Sequence, residues 1–414
     1  MNNRNRIYRV LLCSLMGMSI TITFAQDWPQ WRGLNRDGKV SGFESPAVWP
    51  GQLTRIWRTD LGLGDASPAL VGERLYLFVQ QEAEEVTLCL DANTGKVIWE
   101  NRHTPRLEPG LYKDPFRFQH PGPRSSPTVA DGKVVNLGVG GTLSCLDTET
   151  GKVLWRNEEH TKAVPMFFTA MSPIVVDGMC IAHLGGKDSG SILALELSTG
   201  NIIWQKKDDG PAYASPVLMS VGDTEFLVLQ TKENLLGIAL ADGALLWKVP
   251  SAVNSSSFYN AVTPLIYDQT IIHTGQGSGI SALRIEKSGT DFTVRELWRN
   301  EEVNPQYCTP VLKNDLLYGL SKRRHLYCID AATGKTSWTD PGRSDSYGAM
   351  IDAGTVILSL PGNSELIVFA PEREEYRELA RYEVSDSPTY AHPVIAGELI
   401  YIKDKETLTA WTFR

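Results

Sequence analysis

Residues 143–155 read LSCLDTETGKVLW, and the fold follows from what this phrase encodes and how often it returns. Its first part alternates apolar residues with others, the pattern of a strand with one face buried. Asp147 to Gly151 spells Asp-x-x-Thr-Gly, a tight turn in which glycine supplies a positive φ. A second β-rich stretch follows and ends on a large aromatic. Near copies stand at 88–99 (LCLDANTGKVIW), 192–204 (ILALELSTGNIIW), 235–247 (LLGIALADGALLW) and 326–338 (LYCIDAATGKTSW). Looser copies end at Trp298 and Tyr382.

Working outward, a second phrase precedes each copy. It opens on Ser-Pro or a relative, continues through four or five mostly apolar residues and often an Asp-Gly-like turn, and enters another strand. The openings are Ser67-Pro68, Ser126-Pro127, Ser172-Pro173, Ser215-Pro216, Thr263-Pro264, Thr309-Pro310 and His392-Pro393, while the block after Tyr347 lacks the proline. Each unit therefore holds four short antiparallel strands. Seven units are complete. A C-terminal remainder, 392–413, has three strands, and an N-terminal remainder, 55–61 (RIWRTDL), resembles a lone fourth strand. Joined, they make an eighth unit. The span 55–414 then gives 45 residues per unit, the size of a four-stranded propeller blade. The expected architecture is all-β, an eight-bladed β-propeller whose ring is closed by N- and C-terminal strands in one blade. Such closure leaves no loose end and protects the sheet edges. Trp99, Trp155, Trp204, Trp247, Trp298 and Trp338 recur once per unit and are read as packing against the neighbouring blade.

Residues 1–25 stand apart. Arg4, Arg6 and Arg9 precede an apolar run from Val10 to Phe24, and Thr23-Phe24-Ala25 suits cleavage. The run is shorter than the roughly 20 residues of a spanning helix, so it reads as a secretory signal rather than an anchor. Residues 26–54 form an N-terminal extension before the propeller. Within it, Gly33 to Glu44 imitates a Ca²⁺ loop, but the first position is a glycine with no side-chain oxygen. The formal charge is −8, and about −11 without the signal, which disfavours general nucleic-acid binding. Cys89, Cys145, Cys180, Cys308 and Cys328 remain after the signal, an odd number. Three of them share one strand position, two residues before an aspartate, so all five are read as small buried hydrophobes.

The meander sorts the loops. Short turns after first and third strands lie on one rim, and the longer, varied loops after second and fourth strands lie on the other, where function usually sits. Loops entering the innermost strands carry Tyr213, Tyr259, Tyr307, Tyr347 and Tyr390, with Phe168 at a similar place. They are expected to ring the channel mouth, either to stack on a flat ligand or partner or to plug the funnel by packing on one another. The longest loop, 102–125, carries His120 and Arg124. Arg124 is expected near the axis, holding a carboxylate or phosphate, or clamping loop carbonyls. The same rim carries Lys187, Asp188, Lys232, Lys403 and Lys405, and its sharpest basic patch is Lys322-Arg323-Arg324-His325. An anionic ligand or acidic partner is the functional reading, a solvated loop the bland one.

The Asp, Thr-Gly and Trp pattern resembles the PQQ-like β-propeller repeat, shared by quinoprotein alcohol dehydrogenases and the outer-membrane assembly lipoprotein of the Bam complex. The stretches WPQWRGLNRDG (28–38) and HPGPRSSP (120–127) are similar to those of exported planctomycete-type propellers. The resemblance covers nearly all of the chain from Trp28 on. It implies the propeller fold and two functions: a non-catalytic envelope scaffold with a protein partner, or a dehydrogenase of alcohols or sugars using PQQ with Ca²⁺. A carbohydrate-binding propeller is a third reading, hinted at by the aromatic mouth. The chain lacks the adjacent cysteines and long insertions that the dehydrogenases imply. Asp91, Asp147 and Asp330 belong to turns on the far rim, and Asp188 alone does not make a catalytic or metal site. There is no HExxH, P-loop or Cys-x-x-Cys motif, and neither glycine cluster, 138–141 or 275–279, precedes a helix. The expectation is an exported, periplasmic or envelope monomer that acts as a binding scaffold, with no catalytic residue assigned.

Overall fold

The structure is a computed structural model that describes residues 27–106, 122–186, 188–251, 260–275, 277–342 and 344–414. Among these residues the regular elements are thirty-two β-strands in eight four-stranded antiparallel sheets. Seven blades take their strands in chain order: blade 1 (69–103), blade 2 (128–157), blade 3 (174–208), blade 4 (217–250), blade 5 (265–300), blade 6 (311–339) and blade 7 (348–383). In blade 8 the three strands between 394 and 412 receive Thr54–Asp60 as their outermost partner, paired antiparallel to Thr407–Thr412. The ring thus closes with N- and C-terminal strands in one sheet, as the repeat count requires. The five cysteines of the described chain are all buried and unpaired.

The recurring phrase has a mechanical meaning between blades. Asp147 Oδ1 accepts from the Thr150 amide (2.8 Å) and hydroxyl (2.6 Å), which shapes the turn and holds the carboxyl below its ordinary range. The turn glycine then lies beneath the tryptophan of the preceding blade. A Cβ on Gly151 would stand 2.4 Å from Trp99 Cε3, one on Gly200 2.7 Å from Trp155 Cδ2, and one on Gly334 2.4 Å from Trp298 Cε3. The indole N–H donates to a carbonyl of that same neighbour: Trp99 to Thr148 (2.9 Å), Trp155 to Leu197 (2.9 Å), Trp204 to Leu240 (2.8 Å) and Trp338 to Glu372 (2.9 Å). Trp57 does the same across the closure, to Ala92 at 3.0 Å. Blade 5 departs from the pattern. Its two outer strands, Ile280–Ser288 and Asp291–Asn300, run longer, and the buried Trp247 Nε1 of blade 4 has no hydrogen-bond partner. In all eight sheets the outer strand slips by one residue, beside the tryptophan in seven of them and beside Ala380 in blade 7. That bulge adds twist and spoils the exposed edge for pairing with another chain.

The Ser-Pro openings also act together. The Ser67 amide donates to Ser126 Oγ (2.9 Å), Ser126 to Ser172 Oγ (2.9 Å), Ser172 to Ser215 Oγ (3.0 Å), Ser215 to Thr263 Oγ1 (2.9 Å) and Thr263 to Thr309 Oγ1 (3.1 Å). His392 N donates to Ser67 Oγ (2.8 Å). A belt of amide-to-hydroxyl bonds therefore runs around the channel. It is interrupted at blade 7, where Gly348 and Ala349 stand in place of Ser-Pro.

Residues 27–40 lie inside the channel. Trp28 pairs its backbone with Leu70 of the innermost strand of blade 1 (2.7 and 2.8 Å), and Val129 N of blade 2 donates to Pro29 O (2.7 Å). Gly38 and Val40 bond Asp352 of blade 7 (both 2.9 Å), and Trp31 packs edge-on against His392 of blade 8 (5.6 Å). The segment enters and leaves at the short-turn end, since Asp27 caps Gly72 N (2.8 Å) and Asp352 is the last residue of its strand. Phe43 and Trp49 then pack on Phe413, both at 5.5 Å, and carry the chain to the closing strand.

Candidate functional site

The long loops form the opposite rim, where the channel mouth carries two aromatic groups. In the first, the Phe167 ring lies 6.2 Å from Tyr213, whose hydroxyl accepts the Phe167 amide at 2.9 Å. Arg124 belongs here. Its guanidinium lies 6.0 Å from the Phe168 centroid, donates to Phe167 O at 3.4 Å and stands 4.0 Å from an Asp65 carboxylate oxygen. In the second, Tyr307 and Tyr347 stack on each other with centroids 3.9 Å apart and planes 8° apart, and Tyr390 meets Tyr347 edge-on at 5.3 Å. Burial, with Asp345, Asp65 and Tyr347 nearby, raises the Tyr390 hydroxyl pKa. These rings therefore pack on one another. Tyr347 still shows 39% of its surface to solvent.

The charged candidates divide. Asp188 is bonded by Lys232 (3.0 Å), which also lies 3.5 Å from Glu233. Lys322, Arg323 and Arg324 are exposed on the loop between the second and third strands of blade 6. No hydrogen bond or ion pair from these three side chains occurs among the described residues, yet their backbone is fixed. Lys322 N donates to Asn304 O (2.8 Å), Arg324 N to Ser321 O (2.9 Å) and Ser344 N to Arg324 O (2.9 Å). Arg324 adopts a left-handed φ of 71°. His325 turns inward, its Nδ1 2.9 Å from Asp340 O. Through Asn304 and Ser344 this tip is tied to the two loops that carry Tyr307 and Tyr347. His120, Lys187 and Tyr259 lie outside the described residues.

Lys403 corrects the reading of the basic rim. It is 1% exposed, and its ammonium sits among Gly64 O (2.7 Å), Asp404 O (3.0 Å), Lys405 O (3.3 Å) and Gly62 O (3.5 Å). Burial pushes its pKa down to about 8. It clamps the chain as it leaves the closing strand and offers no charge to a ligand.

Sequence reasoning also missed Arg32 and Arg36, which reach up the channel to the carbonyls of the Ser/Thr-Pro belt. Arg32 donates to Thr309 O (2.9 Å) and Pro310 O (2.7 Å) of blade 6. Arg36 donates to Ser172 O (3.0 Å), Pro173 O and Pro216 O (3.1 Å) of blades 3 and 4. Both side chains are fully buried, and burial lowers their pKa values to about 10 and about 9, so both stay charged at neutral pH. The usable signal was seven prolines opening the innermost strands. Each removes an N–H donor from the strand edge facing the channel and leaves an acceptor-rich ring.

The stacked faces of Tyr307 and Tyr347 leave no slot between them for a third planar ring. Arg124 is engaged by Asp65 and a loop carbonyl. Among the described residues no group of three or more His, Cys, Asp or Glu side chains could hold a metal ion.

A family model described as outer membrane protein assembly factor BamB matches residues 46–207 and 117–340. The chain belongs to this family. A curated relative, the outer membrane protein assembly factor BamB of Yersinia pestis, is 23% identical over 229 residues, 53% of this chain and 56% of that protein. The match thus spans little more than half the length of that relative. The crystal structure of BamB from Moraxella catarrhalis superposes with a TM-score of 0.65 at 13% identity, covering 87% of this chain and 98% of that one. The quinohemoprotein alcohol dehydrogenase of Comamonas testosteroni superposes with a TM-score of 0.69, also at 13% identity, covering 94% of this chain and 80% of that one. At such identities both superpositions report the PQQ-like propeller fold. The function has to be argued from the site.

Proposed function

We propose that this BamB-family chain is a non-catalytic scaffold of the cell envelope and takes an acidic partner protein on its long-loop rim. The observation that carries this reading is the Lys322–Arg324 tip. Three adjacent cations are held out on a fixed backbone, in a chain whose formal charge is −8. A flexible basic loop would lose conformational entropy on binding, whereas a tied one loses little. The tip stands beside Tyr307 and Tyr347, so a partner with an acidic stripe would meet charge at the rim and aromatic surface toward the axis. Membership in a family named for outer-membrane assembly supports the envelope location.

The test is charge reversal at all three positions, K322E/R323E/R324E. With the purified chain immobilised against envelope extract, partner retention should fall steeply with salt and vanish in the variant. The melting temperature should not move, because these side chains hold nothing within the fold. Equal retention by wild type and variant would show that the tip is not the contact surface.

A further inference from the structure

The channel offers a second binding site, unrelated to the rim. In each blade the innermost strand has one edge without a neighbouring strand, and all eight such edges face the axis. Proline opens seven of these strands, so near the belt the edge presents carbonyls with few competing N–H groups. An acceptor-only ring remote from water is costly unless donors meet it. Guanidinium, with five donors in a planar fork and no acceptor, matches that need.

Residues 27–40 answer it in the manner of a ligand. The segment adds no strand to any blade. It touches blades 1, 2, 3, 4, 6, 7 and 8 through backbone bonds, two guanidiniums and one ring contact. Arg36 alone bridges blades 3 and 4. Both arginines sit in the left-handed region, with φ of 62° and 58°, within turns closed by Gly38 N to Arg32 O (3.0 Å) and Arg36 N to Gly33 O (3.2 Å). Gln30 Oε1 receives Arg36 Nε (2.9 Å), and Asp37 O receives Arg32 Nη2 (3.0 Å), so the segment also braces its own two arginines. Beyond Val40 the chain is exposed at Ser41, Gly42, Val48, Gly51 and Gln52, and Phe43 and Trp49 between them pack on Phe413.

We propose that the ring of Ser/Thr-Pro carbonyls is a binding site for a peptide presenting two arginines four residues apart, and that residues 27–40 are its ligand, supplied in cis. The site is thus a receptor built into the propeller, filled by the chain's own segment.

The test uses the full chain with a protease recognition sequence inserted between Gly51 and Gln52, both exposed. After cutting, the released segment should stay bound through gel filtration, because affinity and not the covalent link holds it. Excess labelled peptide of residues 27–51 should then replace it one for one. Peptides carrying R32A or R36A should bind at least tenfold more weakly, the double variant at least 100-fold, and R32K/R36K in between, since lysine keeps the charge without the fork. Equal binding by the double-alanine peptide would overturn the proposal. So would a nicked protein that never exchanges its segment, or one whose far-UV circular dichroism collapses when the segment leaves. Either would make residues 27–40 an integral part of the fold.

Discussion

Replacing Gly151 by alanine tests the lock between blades in isolation. Gly151 has φ +69°, and its added Cβ would meet Trp99 Cε3 at 2.4 Å and Cδ2 at 2.7 Å. Gly178, in the hairpin turn of blade 3, has φ +72° and no heavy atom within 4 Å of an added Cβ. Alanine costs about 1–2 kcal/mol at either site for occupying the left-handed region. At Gly178 the loss ends there. At Gly151 the ring must also move by about an ångström to regain an ordinary contact distance. It is held by its bond to Thr148 O, so that bond weakens, worth about 1 kcal/mol, and the displaced indole overpacks its surroundings for about 1–3 kcal/mol more. The expected excess of G151A over G178A is therefore roughly 2–4 kcal/mol. Urea unfolding followed by tryptophan fluorescence would read it as a shift in midpoint at unchanged slope. Adding Trp99→Leu to G151A should cost less than the two changes made separately, because the clash is already gone. If G151A and G178A lose the same stability, glycine serves the turn alone and the blades are not locked through it.

Three further outcomes follow, two from buried groups and one from the channel mouth. Burial lowers His183 and His273 to about 4 and His392 well below its ordinary value. As pH falls through about 6.5 the unfolded chain takes up protons that the folded chain refuses, so stability is full above that pH and drains between about 6.5 and 4. The loss is roughly 3 kcal/mol for each of His183 and His273. Melting temperatures across this window should fall less steeply in H273Q, and an unchanged slope would refute the assignment. Lys403→Met should cost about 2 kcal/mol or more, by stranding Gly64 O and Asp404 O without a donor, and should speed hydrogen exchange first along Thr54–Asp60. Uniform acceleration in every blade would show that the clamp does not serve the closure. Calorimetric titration with PQQ and Ca²⁺ should show no one-to-one saturation up to about 100 μM, a free energy weaker than about −5.5 kcal/mol. Tight binding would require the stacked Tyr307 and Tyr347 to part.

The architecture was legible because the repeat is written in residues with only one economical use. Asp-x-x-Thr-Gly makes a turn wherever it stands, and a tryptophan in register must meet the same neighbour in every blade. Counting such phrases gave eight blades and placed the closing strand within one residue of Thr54. The mouth was legible in position alone. Tyr307, Tyr347 and Tyr390 reach one corner from three separate loops, and no spacing in the chain says that two of them stack. Lys403 reads like its neighbour Lys405 and differs only because its loop folds back on Gly62 and Gly64, more than 300 positions away. Arg32 and Arg36 were hidden for the same reason: their partners lie 136 to 278 residues on.

What joins these observations is the one edge a propeller cannot pair. The outer edges are spoiled by bulges, but the inner edges converge where eight strands crowd together and water is scarce. The Ser/Thr hydroxyls take the amides that precede the prolines, and the prolines silence the next donor, so at the level of the belt the edge offers mainly acceptors, while farther along Leu70 N and Val129 N still donate to the channel segment. Blade 7 lacks both residues, and there the channel segment supplies backbone pairing instead, through Gly38 and Val40 to Asp352. Belt, prolines and arginines are therefore parts of one solution. A change at any of them should be felt at the others: Ser172→Ala, which removes the hydroxyl that accepts Ser126 N, should loosen the blade whose carbonyls hold Arg36. It should thereby quicken exchange of the segment, while the backbone of the rim tip at Lys322–Arg324, fastened to other loops, stays as it is.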